Sequence, residues 1–377
     1  MPKFAVRSPR LLHVAGRFGD PEADARVMQV IEALGPKLDH TFVRADGSAD
    51  GDAQARPPST KFVYRTDFPQ VTGKPTPGKL ARLASAMTDY DLVLTYGWAA
   101  TNAAMAHTLF KDAKSLPPLV HHEYAFAADE RSGLKTRRNW LRRLAFGKSA
   151  GLVVATEALE EAALVAWQQP MGRVKHIPGG IAVRDYSVRP KPDSLLALIK
   201  HSGERWLGCF SADEGDDDLT ALVQACAKLG EEWNLVVAGE VRDPDPYRAE
   251  ADRLHINDRV HFIGTVRDTP KFLGLCDIYV FPSSEPPHLR EAMAAALPVA
   301  GIGSEPIRAL LAEENLPFVA GGTAGVEEAL SRLAHDKRLR KSVGEANRQR
   351  ALAEFDAKRM IDRHRQLYAS AMRRDDW

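Results

Sequence analysis

Short apolar runs alternate with longer amphipathic stretches along almost the whole chain. The run at 11–15 predicts a first strand, and the stretch after it places Val27, Val30 and Ile31 at helical spacing. Further strands are expected at 41–43, 92–96, 119–122, 151–155 and 174–177. Strands that alternate with helices in this way are typical of a parallel sheet that is covered by helices.

A polar, proline-bearing stretch interrupts this alternation, and a second series of strands follows at 205–210, 235–239, 260–264 and 278–282. A chain of 377 residues is also longer than one hydrophobic core usually holds. We therefore predict an α/β protein of two Rossmann-like, doubly wound domains. The predicted organisation is an N-terminal domain at 1–187, a linker at 188–204, a C-terminal domain at 205–352 and a helix at 353–377 that packs back on the N-terminal domain.

The overall charge argues against one class of function, and the cysteines indicate a compartment. Lys and Arg number 51 against 50 Asp and Glu, and a net charge of +1 is not that of a protein that wraps nucleic acid. Cys209, Cys226 and Cys276 lie in apolar surroundings, which predicts buried thiols rather than a disulfide framework or a zinc site. Because no apolar run is long enough to span a membrane, we expect a cytoplasmic protein.

Residues that follow strands are the candidates for chemistry, because open parallel sheets bind ligands at the carboxyl ends of their strands. Three segments qualify, at 16–24, 121–126 and 283–299. The last combines a polar loop that carries carboxylates with a helix that begins near Glu291. A carboxylate there can bind a ribose diol, and free N–H groups at a helix start suit a phosphate. The alternative is a capped surface helix with solvated acids.

Five pieces of sequence occur in an order that resembles one enzyme family. They are His-Ile-Pro-Gly-Gly-Ile at 176–181, Arg-Val-His-Phe-Ile-Gly-Thr-Val at 259–266, Asp-Ile-Tyr-Val-Phe-Pro-Ser-Ser-Glu at 277–285, Glu-Ala-Met-Ala-Ala at 291–295 and Pro-Val at 298–299. The chain resembles the family-4 retaining glycosyltransferases of the GT-B fold, which have an inter-domain cleft. The resemblance implies a hexosyltransferase that moves a sugar from a nucleotide-sugar donor to a polysaccharide or lipid-linked acceptor, with no required cofactor.

The resemblance also assigns donor-site roles to residues of this sequence. Glu291 takes the position that binds the donor ribose. The family's other glutamate falls on Ser283, or on Glu285 if two residues are deleted. The remaining positions implied to bind the donor are Gly16, Arg17, Ser284 and Gly264.

A histidine at the end of a first-domain strand completes the implied site. His122 matches the family's histidine that faces the reacting sugar, so His122 and Glu285 are the candidate catalytic residues. His121 and Glu123 are expected near the acceptor or the sugar. The alternative for His122 is a hydrogen-bonded filler of the core.

The sequence departs from the family at four donor-site elements, of which the glutamate that falls on Ser283 is the first. Ala296 stands where the family has a glycine, and 20–23 replaces a glycine pair. Where the family carries an Arg and a Lys that clamp the donor diphosphate, residues 213–218 contain five acids. Like charges ~4 Å apart repel by ~1 kcal/mol in water, so these acids would weaken the binding of a diphosphate. The alternatives are that they hold a metal ion or form a solvated loop. The second hypothesis is therefore a catalytically silent relative that binds a protein partner.

A basic stretch at 131–148 combines cations with apolar side chains. Such a helix can lie on an anionic membrane surface, since each basic residue near the surface adds about 1 kcal/mol of attraction. This predicts peripheral association with the inner membrane face, and the residues assigned to the membrane surface are Arg137, Arg138, Trp140, Arg142 and Arg143. The alternative is a solvated helix that turns Trp140 and Leu144 into the core.

Overall fold

The chain forms two compact units. A computed structural model describes residues 7–16, 21–46, 61–130, 133–187, 189–195, 197–211, 219–282 and 286–374. The first unit comprises Met1–Gly180 together with Lys358–Trp377, and the second comprises Ile181–Ala357. Each unit is built around its own parallel sheet.

The sheet of the first unit has seven strands within the described residues, in the order β3-β2-β1-β4-β5-β6-β7. Their bounds are β1 (Arg10–Ala15), β2 (Asp39–Arg44), β3 (Lys61–Tyr64), β4 (Leu92–Tyr96), β5 (Leu119–Glu123), β6 (Gly151–Val154) and β7 (Val174–His176). Strand β1 pairs in parallel with both β2 and β4, so that Leu12 faces Thr41 on one side and Val93 on the other. The strand order therefore reverses at β1, as in doubly wound sheets.

Helices cover both faces of this sheet. They are α1 (Pro21–Leu34), α2 (Pro77–Met87), α3 (Thr101–Phe110), α4 (Thr136–Ala145) and α5 (Glu157–Glu161), and α13 (Ala357–Ala371) returns from the end of the chain. Leu83 and Ala103 lie in the apolar core on one face. Met360 and Tyr368 of α13 are buried on the other face. Amphipathic spacing in α13 thus supplies the second cover that a parallel sheet needs.

The second unit repeats the pattern with six strands among its described residues, in the order β10-β9-β8-β11-β12-β13. The strands are β8 (Arg205–Phe210), β9 (Trp233–Ala238), β10 (Val260–Phe262), β11 (Ile278–Phe281), β12 (Val299–Ile302) and β13 (Val319–Ala320). The helices are α6 (Thr220–Ala227), α7 (Asp245–Arg253), α8 (Thr269–Leu275), α9 (Leu289–Ala294), α10 (Glu305–Leu310), α11 (Thr323–His335) and α12 (Lys337–Glu354). The predicted pair of doubly wound Rossmann-like domains is confirmed.

The division between the units differs from the predicted boundaries at both crossings. It falls after Gly180 and after Ala357, rather than at 187 and 352. Val183 and Leu195 are buried in the core of the second unit, so residues on both sides of position 187 belong there. Phe355 is buried in the same core, and its carbonyl accepts a hydrogen bond of 2.8 Å from the amide of Ile181.

The cysteines agree with the expectation of buried thiols. Cys209, Cys226 and Cys276 are buried and free of disulfides. Burial raises the pKa of the Cys226 thiol to about 11, as expected for a thiol in an apolar core. None of the helices in the described part of the chain is long and apolar enough to cross a membrane.

The turn after α9 has a left-handed residue that is not glycine. Ala296 has φ 58°. Its amide donates to the Met293 carbonyl at 3.0 Å, and the Leu297 amide donates to the Ala292 carbonyl at 3.1 Å. These two bonds form a Schellman cap, in which the left-handed position is usually glycine because a Cβ is strained there.

We expect Ala296→Gly to stabilise the protein by about 0.5–1 kcal/mol, because relief of left-handed strain exceeds the entropy that glycine adds to the unfolded chain. Denaturant unfolding measures the change. The matched control is Ala295→Gly, since Ala295 has a right-handed φ of −76° and its replacement should lower stability. Equal effects of the two substitutions would contradict the assignment of strain to Ala296.

Candidate functional site

The carboxyl edge of the second sheet brings two glycines together. Gly239 follows β9 and Gly264 follows β10, and the Gly239 amide donates to the Gly264 carbonyl at 2.8 Å. Both have left-handed φ values, of 93° and 68°. A Cβ at Gly264 would meet no atom within 4 Å, so at this predicted donor position the backbone requires glycine for its conformation and not for lack of space.

Glu291 lies in the first turn of α9 at the same edge. Its side chain is 23% exposed, and its Oε1 is 3.5 Å from Nδ1 of His288. Burial, aided by the negative charge of Glu291, raises the pKa of the Tyr186 phenol above its ordinary value. Glu291 is thus a partly exposed carboxylate beside an imidazole, an arrangement that can bind hydroxyl groups.

His288 is a residue of this edge that the sequence analysis did not single out. Its backbone is left-handed, with φ 56° and ψ 26°. Its ring centroid lies 4.4 Å from that of Phe210, the last residue of β8. The signal in the sequence is its position three residues before Glu291, but the left-handed backbone that turns the ring toward Phe210 is visible only in the structure.

Several predicted donor-site residues lie outside the described residues. They are Arg17, Ser283, Ser284 and Glu285, together with 212–218, which contains the acidic run. Gly16 is among the described residues and directly follows β1. A Cβ at this position would lie 2.9 Å from the Cβ of Ala99. Close packing against Ala99 therefore accounts for this glycine, whereas its predicted contact with the donor stays a prediction.

His122 is completely buried at the carboxyl end of β5, on the face that α13 covers. Its Nδ1 donates to the Thr95 carbonyl at 3.2 Å, and its Nε2 lies 2.8 Å from the Tyr368 hydroxyl. Burial, followed by the neighbouring His364 and His121, lowers the pKa of His122 well below its ordinary value. The neutral ring donates from Nδ1, so its Nε2 accepts a hydrogen bond from the Tyr368 hydroxyl. These contacts are those of the hydrogen-bonded filler, and a contact with the donor sugar stays a prediction.

Two further hydrogen bonds lie beside the His122 ring. The Tyr96 ring stacks on His122, with ring centroids 4.7 Å apart. The Tyr96 hydroxyl lies 3.0 Å from Nδ1 of His13, and Nε2 of His13 lies 2.9 Å from Nδ1 of His40. Burial lowers the pKa of His40 to about 4.

His121 and Glu123 have positions that differ from the prediction. Both are buried, and Nδ1 of His121 bonds to Thr95 Oγ1 at 2.8 Å while its ring stacks on Phe146. Oε1 of Glu123 is 3.3 Å from Nε of Arg142. Because their partners are core side chains of the first unit, neither residue presents its side chain to a ligand in this structure.

The position of Arg142 also differs from the prediction, because Arg142 does not lie on the predicted membrane surface. It is buried, with 1% of its side chain exposed, and donates to both oxygens of Glu130 at 3.0 and 2.8 Å. Its guanidinium lies 5.0 Å above the Trp98 ring and 4.7 Å above the Trp167 ring. Arg142 is therefore a buried cation that joins α4 to the sheet, not a surface charge.

The remaining predicted residues of α4 are less buried. Trp140 is 61% exposed, so the alternative that turned it into the core is wrong. Arg137 and Arg143 are exposed beside it, and Leu144 is 38% exposed. Arg138 is mostly committed to Asp129 and Glu130, at 2.7 and 3.2 Å. We call Arg137, Trp140, Arg143 and Leu144 the α4 face.

No group of three His, Cys, Asp or Glu side chains is arranged to hold a metal ion in the part of the chain that the structure describes. The two titratable side chains described at the carboxyl edge of the second sheet, His288 and Glu291, contact one another. What the second unit offers there is hydroxyl-binding and phosphate-binding chemistry: a carboxylate, an imidazole and two closely apposed glycine backbones.

Comparison with known proteins relates this arrangement to sugar transfer. Residues 209–350 match the family model described as "Glycosyl transferases group 1". The chain is 26% identical over 161 residues to N-acetyl-alpha-D-glucosaminyl L-malate synthase of Bacillus anthracis, a match that covers 41% of this chain and 42% of the relative. It is 28% identical over 154 residues to the lipopolysaccharide core biosynthesis glycosyltransferase LpsE of Rhizobium meliloti (strain 1021), covering 40% of this chain and 45% of the relative.

The similarity to a solved structure extends over both units. HepE of Anabaena, solved in complex with UDP, superposes with a TM-score of 0.71 at 15% identity, over 96% of this chain and 100% of that one. The chain spans less than half the length of either curated relative in its match. The predicted resemblance to glycosyltransferases and the GT-B fold are confirmed, and assignment to family 4 stays a prediction.

Removal of Arg142 should cost stability that removal of its neighbour does not. We expect Arg142→Ala to lower the free energy of unfolding by about 3–5 kcal/mol, because Glu123 would remain buried without its arginine and Glu130 would keep only its contact with Arg138. Arg143→Ala, one residue away on the exposed side, should change it by less than about 0.5 kcal/mol. Denaturant unfolding of the two variants tests the buried position, and equal small losses would contradict it.

Proposed function

We propose that the protein is a retaining glycosyltransferase that moves a hexose from a nucleotide-sugar donor to a polysaccharide or lipid-linked acceptor. The observation that carries the proposal is the position of Glu291 at the carboxyl edge of the second sheet, within the segment that matches glycosyl transferases group 1. Open parallel sheets bind ligands at this edge. A carboxylate in the first turn of the helix that follows β11 suits the two hydroxyls of a ribose.

The donor nucleotide is assigned to the second unit. Gly239 and Gly264 bring backbone from two strand ends together at the edge where Glu291 lies, and small residues let a ligand approach the backbone closely. HepE was solved with UDP, which supports a uridine nucleotide as the first probe. The name of LpsE supports a lipopolysaccharide-type acceptor for this chain as well.

A catalytically silent relative that binds a protein partner is the second candidate. Its support is the sequence at 213–218, where five acids replace the cations expected beside a diphosphate. Binding of a nucleotide sugar separates the two candidates, because a protein that has lost its donor site has no reason to retain affinity for one.

Glu291→Ala should weaken the binding of the donor nucleotide by at least about 1.5 kcal/mol, the scale of a hydrogen bond to a charged group. Calorimetry with UDP, GDP and ADP and their sugar conjugates first identifies the nucleotide that the unaltered protein binds. Glu345→Ala is the matched control, since Glu345 is an exposed carboxylate on α12 whose partner is Gln349.

Unchanged affinity of the Glu291 variant would contradict the ribose assignment while leaving the enzyme proposal intact. Absence of binding by the unaltered protein to every member of the panel would favour the silent relative. Turnover with a bound donor, measured as release of free nucleoside diphosphate, would exclude it.

We also propose that the α4 face contacts an anionic membrane, where a lipid-linked acceptor would lie. Trp140 places an amphipathic ring at the surface, and Arg137 and Arg143 flank it on the exposed side of α4. Aromatic and basic side chains on one helix face suit the boundary between headgroups and acyl chains. Arg142 has no part in this surface because its charge is buried with Glu130.

Flotation with vesicles that contain phosphatidylglycerol should succeed at low salt and decline as salt screens the surface charges. The double variant Arg137→Gln, Arg143→Gln should lose about 2 kcal/mol of attraction. The control Arg338→Gln, Lys341→Gln removes the same charge from exposed positions on α12. Equal flotation of the two variants would refute binding through the α4 face.

A further inference from the structure

His288 has a backbone conformation that its surroundings impose. A left-handed φ is strained for a residue with a Cβ and persists only where neighbouring contacts determine it. The Tyr279 hydroxyl donates to the Pro287 carbonyl just before it. On the other side, Leu289 is buried and the Ala292 amide donates to the His288 carbonyl at 2.9 Å. Contacts on both sides of His288 therefore maintain its left-handed backbone.

The strained backbone aims the imidazole at the carboxyl edge of the sheet. The ring centroid lies 4.4 Å from that of Phe210 with the ring planes tilted by 51°. Phe210 ends β8, the first strand of the unit and the neighbour of β11. The imidazole therefore lies over the end of β8. The residues that follow β8 in the sequence include the acidic run at 213–218, where the resemblance implies cations.

Glu291 lies beside one nitrogen of the imidazole and leaves the other nitrogen for a ligand. Its Oε1 lies 3.5 Å from Nδ1 of His288, and the His288 side chain is 39% exposed. A ring that carries a proton on each nitrogen donates charge-assisted hydrogen bonds to phosphate oxygens. Nε2 is the nitrogen that we assign to the ligand, because Nδ1 faces Glu291.

We propose that His288 binds the diphosphate of the donor nucleotide through Nε2, at the end of β8. This inference rests on the proposed function and adds to it a phosphate-binding residue that the sequence pattern did not identify. His288 is a binding residue in this proposal, and Glu291 both orients its ring and binds the ribose. A purely structural role would instead confine His288 to shaping the start of α9.

The test compares a nucleoside diphosphate with its nucleoside, using the full chain and calorimetry with UDP and uridine, or the matching pair if another nucleotide binds. His288→Ala should weaken UDP binding about tenfold or more, the range for a hydrogen bond to a charged group, and uridine binding less than twofold. His288→Asn keeps a residue that tolerates left-handed backbone and carries the test if the alanine variant fails to fold. His288→Arg should retain most of the UDP affinity.

The matched control is His255→Ala. His255 is an exposed histidine with φ 57° that follows α7 and precedes β10, at the opposite edge of the same sheet. Its replacement should leave both affinities unchanged. Equal losses of UDP and uridine affinity in the His288 variants, or no loss of either, would overturn the phosphate assignment. Failure of the unaltered protein to bind any nucleoside diphosphate would instead overturn the proposed function, and this inference with it.

Discussion

Every pair of neighbouring strands in both sheets runs parallel, and this constraint decides where chemistry can occur. After each strand the chain must return along the sheet before the next parallel strand begins, so the carboxyl ends of all strands lie at one edge. In the second unit, Phe210, Gly239, Gly264 and His288 come from four different connections. They nevertheless form two adjacent pairs, Phe210 with His288 and Gly239 with Gly264. No local feature of any one connection creates this cluster.

The first unit meets the same constraint with a polar core at its carboxyl edge. His13 and His122 are buried and Tyr96 is partly buried on the face that α13 covers, and buried polar groups are costly unless each finds a partner. Tyr368 of α13 supplies the partner for His122 across 246 positions of sequence. The return of the chain to the first unit is therefore a condition for burying this edge of the sheet, in addition to the apolar area that α13 covers.

Periodicity was sufficient to predict the alternating strands and helices, because a buried parallel strand is a short apolar run and its covering helix is amphipathic. It failed for β3, whose four residues Lys-Phe-Val-Tyr give too short a signal. It also failed for the domain boundary, since the polar stretch near 188 conceals Leu195, which anchors that stretch in the second core. Polarity alone does not distinguish a linker from a surface segment that is tied down at one apolar residue.

The candidate site was harder to predict, because charge along a sequence does not reveal which charges meet. Arg142 belongs to a run of arginines that reads as one basic surface, yet it faces Glu123 and Glu130 inside the unit. Its neighbour Arg143 points outward, so one residue of helical rotation separates a core ion pair from a surface charge. Glu291 could be identified because its helix matched a family pattern, whereas the direction of His288 depends on a backbone angle that no residue pattern encodes.

The six residues of α9 lie between two left-handed positions, His288 and Ala296, and the contrast between them is informative. At Ala296 a glycine would form the same cap without strain, so the methyl group adds nothing that the turn requires. At His288 a glycine would also relieve the strain, but it would remove the imidazole that lies between Phe210 and Glu291. Strain that fixes the direction of a partly exposed, chemically capable side chain at a ligand-binding edge is the kind that function accounts for. The strain at Ala296 has no such compensation, which makes the start of α9, not its end, the part of the helix to which we assign the ligand.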